Sequence, residues 1–183
     1  MNNDPSVIKA TTVGTSEIIT NSNNKFYVGL SKIKANIIFK EALKKETSNA
    51  LNNKNKTFEI LSDNFNNDSL TKFEAPNLVV PHTKSDFKFI KEKYKVDEIV
   101  LIKVDNYGLL LVYSGVLLAT KKGQTLIDVQ KMDLKNNSLL QQKRFETNTA
   151  IKSDWTSRGD YENLQTAIQT TIDKSILKIK EAL

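Results

Sequence analysis

The sequence predicts an α+β fold: a mixed sheet with an antiparallel β-meander in its second half, two helices in the first half, and a long C-terminal amphipathic helix packed on the sheet. Three observations predict it. From Asn36 to Leu51, and again from Phe87 to Tyr94, apolar residues recur at helical spacing. After Asp97 they gather into strand-like runs separated by short polar turns. From Asp160 onward they return to spacings of three and four. A chain of 183 residues with 39 % apolar and 26 % charged residues is globular in composition and long enough for one core of ordinary size.

Residues 1–24 are polar and rich in Ser, Thr and Asn, and read as an N-terminal arm with an edge strand near Val7 to Val13. The single domain is expected over 25–183. Lys25 to Leu30 has strand composition. Ile38, Phe39, Ala42, Leu43 and Ala50 lie on one helical stripe, with Asn36 as N-cap and the Asn/Lys cluster after Leu51 as its end. Thr57 to Leu61 is β-prone, and 62–77 is a polar loop. Pro76 and Pro81 bracket a short apolar run, Leu78 to Val80. Ser85 or Asp86 then caps a second helix, with Phe87, Ile90 and Tyr94 on one face, ending near Val96.

Glu98 to Val104 reads as a strand covered on both faces. A turn is expected at Asp105–Asn106, then a long strand from Tyr107 to Thr120 with a bulge or sharp bend at Gly115. Lys121, Lys122 and Gly123 read as a tight reversal, followed by a strand to Leu134. Lys135, Asn136 and Asn137 form the next turn, where Asn readily takes positive φ. Ser138 to Thr147 is the last strand. The loop 148–160 carries the only Trp. The closing helix, from about Asp160 to Ala182, presents Leu164, Ile168, Ile172, Ile176, Ile179 and Leu183 as one stripe, which must find a sheet to cover.

Composition excludes several kinds of chemistry. With no Cys, disulfides, thiol catalysis and thiolate metal sites are ruled out. The net charge of +6 comes from Lys spread along the whole chain and only two Arg, Arg144 and Arg158. A nucleic-acid binder concentrates its cations among aromatics, so solvated faces are the expected role of these lysines. The Gly residues match no phosphate loop or dinucleotide fingerprint. Three Asn sequons, at Asn55, Asn67 and Asn136, are what chance supplies in so Asn-rich a chain. No metal ligand set and no cofactor are expected.

His82, the only histidine, has Asp86 four residues on and Asp97 further along, the arrangement a His–Asp base would need. No Gly-x-Ser-x-Gly elbow accompanies them, and a zinc site would want a second His. The reading is therefore non-enzymatic. Trp155, flanked by Asp154 and followed by Arg158, is the residue mix of a binding hot spot. These three are the candidate partner contacts, with a core Trp as the alternative.

Three local features carry a resemblance. Phe87 to Val104 runs from a helix into an apolar strand through Val96, Asp97 and Glu98. Asp133 to Leu140 forms a hairpin turn, with Asn137 where a Gly is usual. Trp155 precedes the final helix. This order is similar to the amino-terminal domain of the Tol-system protein TolB, shared by envelope lipoproteins such as the curli secretion lipoprotein and the lipoprotein activator of a penicillin-binding protein. The resemblance covers about 25–183. It implies a non-enzymatic, periplasm-facing domain at the bacterial outer membrane. Such a domain acts as a binding or assembly module for another envelope protein, with a lipid anchor outside this chain. No basic-then-apolar signal peptide opens the sequence, so Met1 reads as an added start in front of a mature sequence. The alternative readings are a carrier of a small apolar ligand, held between the curved sheet and the last helix, and a cytoplasmic location.

Overall fold

Asn24 explains why the segment that begins at Lys25 is a helix rather than the expected strand. Its side-chain oxygen accepts the Phe26 amide at 2.9 Å, capping α1 (Lys25–Ile33). Phe26, Leu30 and Ile33 then fall on one buried face. Read only as far as Leu30, Phe-Tyr-Val mimics a strand; carried on to Ile33, the spacing is helical. The structure, a computed structural model, describes residues 5–11, 16–19, 24–34, 37, 39–54, 57–61, 70–75, 79–151 and 161–183.

These residues form four helices and a five-stranded mixed sheet of order β2-β1-β3-β4-β5. β1 (Ser6–Thr11) pairs antiparallel with β2 (Ser16–Ile19) and parallel with β3 (Glu98–Ser114), from Ser6 opposite Gly108 to Thr11 opposite Tyr113. The expected edge strand near Val7 is thus an interior one, and β2 holds the edge. β4 (Leu117–Asp133) and β5 (Ser138–Ala150) complete the meander. The helices are α1, α2 (Phe39–Asn52), α3 (Lys88–Tyr94) and α4 (Glu162–Ala182). Thr57 to Leu61 is in no strand.

Two expected turns are absent, and the glycines say why. Asp105–Asn106 and Lys121–Gly123 lie inside continuous strands. Gly108 has φ +136°, and a Cβ there would sit 2.2 Å from the Ser6 carbonyl oxygen, so this position admits the close approach of β1. Gly123 is buried against α4, where a Cβ would lie 2.7 Å from the Ala167 carbonyl oxygen. The reversal belongs to Gly115. Its φ of +58° and the absence of positive φ at Val116 fit a two-residue II′ hairpin turn between β3 and β4. The strand expected from Tyr107 to Thr120 therefore ends at Ser114 and folds back on itself.

The chain divides into two compact units, to both of which β3, β4 and β5 contribute. The first comprises 61–103 and 128–144. Its core is Phe87, Ile90, Met132 and Leu134, with Leu70, Tyr94, Val96, Ile99, Leu101 and Leu139 packed around them. α3 ends at Lys95, whose left-handed φ of 56° lets its amide bond back to the Lys91 carbonyl. Asp97 accepts from Lys91 at 2.6 Å, which holds its carboxyl below the usual range.

The second unit comprises 2–60, 104–127 and 145–183. α4 lays Leu164, Ile168, Ile172, Ile176 and Ile179 into the core with Leu109, Leu111 and Ile127 of the sheet, as the stripe predicts. Small residues set the helix–sheet distance. Gly123 faces Ala167 and Thr171. The buried Ser175 hydroxyl donates to the Thr171 carbonyl, leaving Thr125 to donate to Ser175. The Phe39 ring meets the Tyr107 ring edge-on at 5.1 Å. Lys180 of α4 pairs with Glu46 of α2 at 3.0 Å and lowers that carboxyl's pKa.

Candidate functional site

Trp155, Asp154 and Arg158 lie outside the described residues. The remaining sequence candidates, His82 with Asp86 or Asp97, fall in the first unit, where the structure gives each a separate fate.

Asn137 decides what Asp86 does. Asn137 takes the left-handed conformation, φ 58°, as expected for the β4–β5 turn. It is fully buried, which was not expected of a turn residue. Its carbonyl accepts the Thr83 amide at 3.0 Å, and its side-chain oxygen accepts the Phe87 amide at 3.0 Å. Its side-chain NH2 donates to Asp86 Oδ1 at 2.8 Å, and the same oxygen accepts the Lys88 amide at 2.9 Å. Asp86 thus opens α3 as the sequence suggests, although Phe87 is the formal N-cap. The Lys88 amide, then Asn137 and the Lys88 charge, hold the Asp86 carboxyl below the ordinary carboxylate range.

His82 is therefore not paired with Asp86, and Asp97 belongs to Lys91. The His82 backbone bridges Ser138, its ring lies 5.7 Å from the Phe73 ring, and its buried Nδ1 meets no hydrogen-bonding group of the protein. These contacts bring no carboxylate to the His82 ring. Among the described residues no three His, Asp or Glu side chains gather as a metal site would require.

A hollow of about 470 Å³ lies in the same unit, lined by Lys88, Lys91, Lys95, Lys135, Val96 and Leu134 with Glu92 and Asp97. Two of its lysines have local duties. Lys91 pairs with Asp97, Lys88 lies 5.4 Å over the Phe73 ring, and Lys91 sits in the last turn of α3, where a cation suits the helix dipole.

The features that sequence reasoning missed are apolar and exposed. Val79 is 85 % exposed and Val80 46 %, directly before a firmly held segment. There the Pro81 carbonyl accepts the Leu139 amide at 2.8 Å, His82 bridges Ser138 and the Thr83 amide bonds to Asn137. In the second unit, Val116 is 93 % exposed and Leu117 72 % at the β3–β4 turn. A usable signal was present at the hairpin: a Gly inside a long apolar run can mark its reversal, and side chains at a reversal cannot all be covered.

Compared with known proteins, the chain matches no family model and no curated protein. Among solved structures it is similar to a hypothetical protein from Chlamydia trachomatis, with 11 % identity and a TM-score of 0.37, over 76 % of this chain and 81 % of that one.

Proposed function

We propose that this chain is a non-enzymatic binding or assembly module of the bacterial cell envelope, and that it contacts a protein partner through Val79 and Val80. The observation that carries the reading is this apolar pair, solvent-facing and followed directly by Pro81, His82 and Thr83, whose backbones bond to the β4–β5 turn and the start of β5. An apolar pair next to an anchored segment has less chain freedom to lose on docking than one in the middle of a long loop, which favours a hot spot. The envelope setting is what the sequence resemblance implies.

The test is photo-cross-linking in cells producing the chain, with a photoreactive side chain at Val79 and, as control, at the exposed Lys143. One discrete envelope protein is expected from position 79 alone, and Val79→Asp should abolish its co-purification. Equal products from both positions, or a chain recovered from the cytoplasmic fraction, would sink the proposal.

A further inference from the structure

We infer that the tip of the β3–β4 hairpin is a lipid-docking element that seats on an anionic bilayer surface. The inference is independent of the protein contact proposed at Val79 and Val80, since it concerns other residues and another kind of partner.

The tip is apolar where the turn does not ask for it. A II′ turn needs Gly at its first central position and tolerates polar residues at the second and just beyond. Here those places hold Val116 and Leu117, the first almost wholly exposed and the second largely so. Among the described residues they are left largely uncovered, so most of their apolar surface lies outside the core.

Charge on the hairpin is arranged to suit an anionic surface. From Asn106 to Ile127 the sequence has no acidic residue. From Tyr107 to Thr120 it has no charge at all, and the first charges met behind the tip on β4 are Lys121 and Lys122. At about 3.3 Å per strand residue, Lys121 stands about 13 Å behind Leu117. An apolar tip sunk about 5–10 Å into the boundary of headgroups and acyl chains would bring these ammonium groups near the phosphates. Tyr113, an interfacial aromatic, lies two residues before Gly115, with Lys9 of β1 5.5 Å over its ring. The carboxylates nearby are engaged. Glu17 pairs with Lys9 at 3.1 Å, while Glu146 accepts from Asn148 and Gln124 and lies near Lys122. A folded protein partner would need a matching apolar pocket; a bilayer asks only for an apolar tip backed by cations.

The absence of Cys gives a clean probe. Leu117→Cys, labelled with an environment-sensitive fluorophore, is mixed with phosphatidylcholine vesicles with and without phosphatidylglycerol, and Lys143→Cys serves as the labelled control. The expected result is a blue-shifted, brighter emission at 117, with anionic vesicles only, that weakens as salt is raised. In co-sedimentation of the unlabelled chain, Val116→Ser with Leu117→Ser should bind at least about tenfold more weakly, with unchanged melting because both side chains are exposed. An unchanged emission at 117, an equal shift at 143, or full vesicle binding by the double Ser variant would overturn the inference. In the last case diffuse basic charge, not the tip, would be the cause.

Discussion

Replacing Asn137 tests whether one turn residue organises the first unit. Three of its groups are bonded, and the residue is fully buried in a left-handed conformation. In Asn137→Ala the Phe87 amide loses its acceptor in a place closed to water, at a cost of about 1–3 kcal/mol. Ala also pays about 1 kcal/mol for positive φ, which Asn tolerates better. The loss of one of the two donors to half-exposed Asp86 adds little, so the total is about 3 kcal/mol. Asn137→Gly relieves the backbone and should cost about 1 kcal/mol less than Ala. Asn137→Asp keeps an acceptor for Phe87 but sets a second carboxylate against Asp86. The shared proton raises the pKa of the pair, so that variant's deficit should shrink as pH falls, opposite to the wild-type trend. The assay is denaturant unfolding of the three variants, with hydrogen exchange read at the Phe87 and Thr83 amides. If Gly equals wild type while Ala is costly, only the backbone matters and the side-chain bridge is idle. If all three fall within about 0.5 kcal/mol of wild type, the whole argument fails.

Three further outcomes are expected. Gly108→Ala would force a Cβ into the Ser6 carbonyl, so it should destabilise the second unit by more than the roughly 1 kcal/mol of an ordinary strand Gly change and speed amide exchange in β1; normal protection there would refute the close approach. The depressed pKa of Asp86 contributes stability that is full above the ordinary carboxylate range and is lost as pH falls through its folded value, so Asp86→Asn should flatten the acid limb of the stability curve below about pH 4, and an unaltered limb would deny Asp86 this role. A chain ending at Gly159 lacks α4, whose five buried Leu and Ile side chains contribute on the order of 1.5–3 kcal/mol each against a net stability of about 5–15 kcal/mol. It should be molten or insoluble, and cooperative melting near the parent temperature would make α4 an accessory.

How much of this was legible in the sequence depends on how far each signal reaches along the chain. α4 was readable to within two residues because its stripe repeats over 21 residues. α1 was not, because nine residues with Phe, Tyr and Val at the start satisfy strand and helix patterns alike, and the deciding cap is one oxygen of Asn24. The meander was legible as a meander, but its register in sequence was not. Polar pairs such as Asp105–Asn106 and Lys121–Lys122 look like turns, although each lies in a strand interior. On the site, His82 and Asp86 were visible as residue types. That Asn137 claims Asp86 was not, because the bond joins positions 51 residues apart.

The three glycines of the hairpin show the limit most clearly. Gly115 was read as a bend within a strand and Gly123 as part of a reversal, while Gly108 was given no role, yet only Gly115 turns the chain. Gly108 is small because β1 passes close to it, and Gly123 because α4 does, and each neighbour is far away in sequence. A missing side chain therefore carries two meanings, freedom of φ and room for another backbone, and local sequence does not separate them. The distinction bears on function as well as fold. Placing the reversal at Gly115 moves Val116 and Leu117 from a supposed strand interior to the exposed end of the hairpin, which creates the surface from which lipid docking is inferred.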